Sequence, residues 1–391
     1  MTHILQRLRM DNNYTVPFKQ IYNTNPSNAL HRNSLASKLH VDLPLFGCIC
    51  LCFIIGLLVI YSAKLEWYLV QKQLINFAIA TGMMLLVAQI QPRTYRAWAP
   101  VLYFGTLGSL LLVLLIGDIS KGGQRWLDLG IIRFQPAEIM KLAVPLMVAR
   151  SLDQHILPPK NSILILPTLY ILVPVALIAI QPDLGTAILV ASTGLFVLFF
   201  AGISWKLIIS LISMAVVSTP VFWYLLRDYQ RQRILTLLNP ESDPLGSGYQ
   251  IIQSKIALGS GGFFGKGWLN GTQSHLEFLP ERTTDFIFAV FGEEFGFIGI
   301  LFLLGIYIFI MLRGLYIGMR ARDTFSRLLA GSLIVTFFVY LFVNIGMVNG
   351  ILPVVGIPLP LVSYGGTSLV TVMISFGMLM SIQTHRTLVG K

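Results

Sequence analysis

The chain has 391 residues, 55% of them hydrophobic and 12% charged, with a mean hydropathy of +0.74. That balance excludes an ordinary soluble domain, and apolar runs long enough to span a bilayer recur, so the expected fold class is an all-α polytopic integral membrane protein. The net charge of +11 would suggest nucleic acid in a soluble protein; here the placement of the cations explains it better, and no nucleic-acid partner is expected.

Residues 1–42 are polar, rich in Asn, Ser and Thr, and carry Arg7, Arg9, Lys19, Arg32 and Lys38. They lack the apolar core of a signal peptide and read as a flexible cytoplasmic tail. Residues 43–391 read as a single membrane domain with spans near 43–62, 73–90, 97–116, 136–150, 163–180, 185–201, 206–226, 286–311, 327–347 and 366–383. Cys48, Cys50 and Cys52 alternate inside the first run and read as packing thiols. With the N-terminus in the cytoplasm, inside segments hold sixteen Lys and Arg against five in the short outside connections. The positive-inside rule therefore puts both termini in the cytoplasm and the loop 227–285 outside.

That loop is the only long polar interval between spans. Arg227, Arg231, Arg233, Lys255, Lys266 and Arg282 face Asp228, Glu241, Asp243, Glu277, Glu281 and Asp285, so it is charged without being polybasic. Pro240, Pro244 and several glycines interrupt it, while IIQSKIALGSGG fits a short amphipathic helix. Loops of this length are more often functional than passive. A second unusual stretch, 349–366, is apolar yet carries Pro353, Pro358 and Pro360, which forbid a regular helix. Backbone freed from a helix near lipid must be covered by protein or lie beside water, so a re-entrant or surface loop and a tightly packed turn both fit.

Asp285 sits where a helix N-cap belongs, and ordinary helix-end preferences favour that bland reading. The functional alternative comes from location: a carboxylate at the membrane surface beside a cationic loop is suitably placed to take a proton from a bound hydroxyl. Glu293 and Glu294 point to different sides of the same span, so at least one should find a partner on a neighbouring helix. Glu138 and Lys141 are at i,i+3 and suit an interior ion pair or a substrate-contacting lysine. Asp183 in QPDLGT, after Pro182 at the head of a span, suits a helix cap. Arg125, beside Trp126, suits an interfacial anchor or a phosphate clamp. GSGGFFGKG imitates a phosphate-binding loop, but no glycine stands five residues before Gly265 and no Ser or Thr follows Lys266. Its glycines suit a flexible or close-packed loop instead.

The segments KGGQRWLDLG, IIRFQPAEIMKLAVPLMVAR, QPDLGT, DYQRQRILTLLNPESDPLGSGYQIIQSKIALGSGG, LPERTTDFIFAVFGEEFG and NIGMVNGILPVVGIPLPLVSYGG together resemble the shape, elongation, division and sporulation (SEDS) family of bacterial membrane glycosyltransferases, with the loop wording closer to its elongation branch. Thr367 departs from the usual Ser after the glycine pair, and the N-terminal extension is longer than expected for the family. The resemblance implies polymerisation of lipid II, the undecaprenyl-pyrophosphate-linked disaccharide pentapeptide, on the outer (periplasmic) face of the bacterial inner membrane. It implies Asp285 as the essential aspartate and places Glu138, Lys141, Arg125 and Asp183 in the substrate site. Lys255, Arg282 and Ser363 join them as expected substrate contacts. A class B penicillin-binding protein is the implied partner. No cofactor is certain; a divalent cation, Mg2+ or Mn2+, would suit the pyrophosphate, although the loop has no DxD pair. The rival readings are a lipid-precursor transporter, with Asp285 and Glu293 as gating groups, and a noncatalytic scaffold for the partner synthase.

Overall fold

The computed structural model describes residues 39–385 except 121–122, 129–132, 226–227, 244–245 and 277. Most of the expected tail, Lys121, Arg227, Glu277, Arg386 and Lys391 lie outside the described residues. A helix occupies each of the ten expected spans: α1 (Leu43–Lys64), α2 (Trp67–Gln89), α3 (Pro92–Ile116), α4 (Pro136–Asp153), α5 (Ile165–Ile180), α6 (Leu184–Phe200), α7 (Trp205–Leu225), α11 (Ile287–Met319), α12 (Thr324–Val348) and α13 (Thr367–Thr384). Among the described residues, seven helices are long and apolar enough to cross a membrane, and Leu184–Phe200 is a shorter apolar helix. The long loop adds α8 (Asp228–Leu238), α9 (Ser247–Ser260) and α10 (Thr272–His275).

One departure from an all-helical chain lies between α3 and α4. Three short antiparallel strands, β1 (Asp118–Ser120), β2 (Gly123–Asp128) and β3 (Arg133–Phe134), form a ribbon in the order β1-β2-β3. Trp126 sits in β2.

α4 is the central helix. Fourteen of its eighteen residues are buried, against the partial burial of the more lipid-like helices, and it packs on α3, α5, α6, α12 and α13. A largely buried helix carries a charge most readily when that charge is paired, and Lys141 pairs with Glu138 within α4.

α11 is two helices joined at a break. Gly296 has φ 64 and ψ −165, outside helical space. The backbone groups released there are taken up by the glycine-rich loop. Lys266 N–H donates to Glu293 O (3.0 Å) and Gly267 N–H to Glu294 O (2.9 Å), while Phe297 N–H donates to Gly262 O (3.0 Å) and Ile298 N–H to Phe263 O (3.2 Å). A Cβ on Gly265 would lie 2.1 Å from Glu294 O, and one on Gly296 2.2 Å from Gly265 N. GSGGFFGKG is therefore a close-packed splice for a broken helix.

The proline-rich segment 349–366 runs between helices and buries its second half, with Ile357, Leu359, Leu361 and Val362 in the core and Ile351 exposed. Its backbone is satisfied by side chains: Tyr307 Oη donates to Pro360 O (2.6 Å), and Leu359 N–H donates to Ser363 Oγ (2.8 Å). Tyr307 lies ten residues past Phe297, about 15 Å along the helix. Pro360 thus sits well down the bundle, and the loop is covered by protein as membrane-depth irregular backbone requires.

Candidate active site

Four segments meet at Asp285. Phe286, not Asp285, occupies the N-cap position of α11, and no side chain caps that helix; the capping expectation is corrected. The chain has not yet entered the helix at Asp285 because 279–286 is still turning, with Phe286 N–H donating back to Glu281 O at 3.2 Å. The main chain of Asp285 is instead held by Asn344 of α12, whose Nδ2 donates to Asp285 O (2.9 Å) and to Ile357 O (2.7 Å). The carboxylate stands against Gly356: a Cβ built there would lie 3.4 Å from Asp285 Oδ2. Gly356 has φ 74, in the left-handed region, so glycine serves both the turn and the close approach.

Ser363 and Tyr364 tie the other end of the proline-rich segment to the residues just before Asp285. Ser363 Oγ donates to Thr284 O (2.6 Å), and Tyr364 N–H donates to Thr283 O (2.9 Å). Ser363, expected as a substrate contact, has its hydroxyl engaged as donor and acceptor within the protein. Gln73 of α2, wholly buried, adds a second brace to Ser363 O and Gly365 N–H at 3.3 and 3.2 Å.

A second cluster gathers around Asp183. It does cap α6, accepting from Thr186 N–H at 3.2 Å, and it also accepts from Gln135 Nε2 at 2.9 Å. Arg125 Nε lies 3.8 Å from Asp183 Oδ2, and its Nη2 donates to Pro182 O. One turn down α4, Lys141 Nζ lies 2.6 Å from Glu138 Oε1 and 5.1 Å from the centroid of the Tyr340 ring. Glu138 Oε2 is buried with no hydrogen-bond partner among the described residues. Tyr340 packs with Leu189 and Ile357, the neighbour of Gly356, so a continuous line of contacts runs from Glu138 through Lys141, Tyr340 and Ile357 to the Asp285 crevice.

A groove of about 950 Å³ opens beside this cluster between α2, α3, α4 and α13. Asn76, Gln135, Glu138 and Thr367 stand at its loop-side end, while Ile139, Leu142, Val370 and Ile374 make its body apolar. Such a shape accepts an aliphatic chain with a polar head directed toward Glu138 and Gln135.

Of the remaining expected contacts, Lys255 is an exposed residue of α9 whose side chain lies over Gly350; a Cβ there would meet its Nζ at 2.8 Å. Arg282 is buried just before Asp285. Glu293 and Glu294 face different partners, as their spacing predicts. Glu293 Oε1 accepts from Lys266 Nζ (2.7 Å), Thr272 N–H (2.9 Å) and Gln273 N–H (3.1 Å), whereas Glu294 accepts from Ser62 of α1. Asn344, Gln135, Tyr340 and Gly356 escaped the sequence reading. A lone Asn inside an apolar span was the available signal for the first.

The fold and its loop-side clusters define a polytopic membrane protein with a carboxylate held against the proline-rich segment and, lined by Glu138, an apolar groove of about 950 Å³. The chain belongs to the SEDS family: residues 42–388 match the FtsW, RodA and SpoVE family model, described as "Cell cycle protein". It is 53% identical over 363 residues to the peptidoglycan glycosyltransferase MrdB of Escherichia coli K12, covering 92% of this chain and 98% of that protein. Among solved structures it resembles a chain of a peptidoglycan synthase complex that coordinates polymerization and crosslinking, at 31% identity and TM-score 0.78 over 88% of this chain and 99% of the other. It also resembles the rod shape determining protein RodA of Thermus thermophilus, at 27% identity and TM-score 0.67 over 88% and 97%.

Proposed function

We propose that this protein is a peptidoglycan glycosyltransferase that polymerises lipid II into glycan strands during cell elongation, on the periplasmic face of the bacterial inner membrane, with both termini in the cytoplasm. The observation that carries the reading is Asp285, a carboxylate held outside the helix it precedes, fixed through its main chain, and set close against the glycine at 356. Asp285 accepts the proton of the acceptor GlcNAc 4-hydroxyl as that oxygen attacks the anomeric carbon of the donor strand. The bond from that carbon to the pyrophosphate breaks, and undecaprenyl pyrophosphate departs with its electrons.

Arg125 and Lys141 stabilise the departing pyrophosphate, with Lys255 and Arg282 as further cationic contacts and Asp183 and Glu138 orienting them. The groove between α2, α3, α4 and α13 takes the lipid chain. No group of three metal-ligating side chains gathers among the described residues; a divalent cation, Mg2+ or Mn2+, would then be held largely by substrate, and chelation of the assay tests for it. A class B penicillin-binding protein cross-links the product. The test is a polymerisation assay on the purified chain, with and without that partner, given lipid II on the accessible face. Polymer that disappears in Asp285→Ala supports the enzyme; translocation without polymer identifies a transporter, and partner binding alone identifies a scaffold.

A further inference from the structure

Asn344 is wholly buried in α12 and donates both of its hydrogens to main-chain oxygens on opposite sides of the Asp285 crevice, Asp285 O and Ile357 O. Two carbonyl acceptors fix the amide, because turning its oxygen toward them would place acceptor against acceptor. The consequence is that Asn344 Oδ1 is left buried with no hydrogen-bond partner among the described residues. An apolar side chain of similar size would remove that orphaned oxygen but would take the donor from both carbonyls. A residue kept polar at a buried position, with one atom unsatisfied, is explained by what its other atom holds.

What it holds is a spacing. Asp285 O belongs to the residue that carries the carboxylate, and Ile357 O follows Gly356, the residue that carboxylate faces. The two segments come from distant parts of the chain and reach the crevice as irregular backbone, whose geometry no helix or strand enforces. The other ties between them, Ser363 to Thr284 and Tyr364 to Thr283, act on the residues before Asp285. Asn344 spans from Asp285 itself to the facing wall.

We propose that Asn344 is a positioning residue for the transfer reaction: by pinning Asp285 O and Ile357 O to one amide group it sets the gap in which the Asp285 carboxylate meets the acceptor hydroxyl. This rests on the reading of Asp285 as the base. Displacements of about 1 Å at a reacting group can lower a rate about 100-fold, so losing a double brace acts on turnover, whereas the lipid chain in its groove is untouched.

The test compares Asn344→Leu, of similar volume without donors, and Asn344→Ser, smaller and with one donor, against wild type and Asp285→Asn. Initial rates of lipid II polymerisation by the full chain are normalised to monodisperse, folded protein. The expected result is a kcat per folded molecule lowered about 10- to 100-fold, KM for lipid II within about twofold, and a shifted acidic limb of the pH–rate profile. A merely structural Asn344 would lower the folded yield and leave kcat and the pH profile unchanged, and that outcome in either folded variant overturns the proposal. Asn344→Ser decides if Asn344→Leu does not fold. Should Asp285→Asn polymerise at full rate, it is the reading of Asp285 that falls, and the positioning role with it.

Discussion

Lys266 Nζ lies 2.7 Å from Glu293 Oε1, joining the glycine-rich part of the long loop to the short arm of α11. The carboxylate is fully buried, while the lysine side chain is 27% exposed. Glu293 also accepts from the N–H groups of Thr272 and Gln273, so one anion anchors two turns of the loop. Glu293→Gln keeps an acceptor for those N–H groups but removes the charge opposite Lys266. Loss of about 1–3 kcal/mol is expected, between the values for exposed and buried pairs. A lowered melting temperature in detergent, restored in part by Lys266→Met in the same background, checks it; an unchanged melt in Glu293→Gln rejects it.

The splice across the break in α11 makes a sharper prediction about glycines. Gly265 and Gly296 have φ of 80 and 64, and a Cβ on either would collide with backbone. Gly259, inside α9, has nothing within 4 Å of its would-be Cβ. Alanine at 265 or 296 should therefore lower the melting temperature, by a cost of order a few kcal/mol. Alanine at 259 should be neutral or stabilising by up to about 1 kcal/mol. Equal effects at all three positions would refute the splice.

Gly356→Ala is expected to act on rate. The added methyl must adopt a left-handed backbone and would stand 3.4 Å from Asp285 Oδ2. A fall in kcat of about 10- to 100-fold is expected, from displacement of the carboxylate or its acceptor. Steady-state polymerisation at saturating lipid II measures it, and a rate within about twofold of wild type would show that the crevice does not receive substrate there.

The bundle's charged end supplies a pH dependence of stability. His385, just past α13, stacks on His40 with ring centroids 4.4 Å apart, and burial holds its imidazole below the ordinary 6.5. A depressed histidine value means the unfolded chain binds the proton first, so the contribution is present above the ordinary value and is lost as pH falls through the lowered one. Melting temperature measured between about pH 8 and about pH 5 should fall less in His385→Phe than in wild type; parallel curves would contradict this.

How much of this was readable in advance follows from how local each cause is. The ten helices were legible because hydropathy over one span decides them, and the Glu138–Lys141 pair because i,i+3 neighbours meet on any helix. The break at Gly296 was not. Its surroundings read as one apolar run, and the hydrogen bonds that make a break tolerable come from residues 262–267. Asp285 reads locally as a cap, yet Asn344 and the turn at 281–286 hold its backbone outside the helix. Arg125 and Asp183, 3.8 Å apart, are distant in sequence, and nothing in either segment names the other. The strands at 118–134 are too short for alternation to betray them. Only the family resemblance assigned these residues to one site, where local rules offered a cap, an anchor and an ion pair.

The account turns on whether the Asp285 carboxylate takes a proton from sugar, and Asp285→Asn tests this with the least disturbance, since the amide keeps the shape and the main-chain brace from Asn344. Single-turnover polymerisation of lipid II by folded Asp285→Asn, with the proposed transpeptidase partner present, should be at least about 100-fold slower than wild type, with lipid II binding retained. Strand synthesis at the wild-type rate would contradict it.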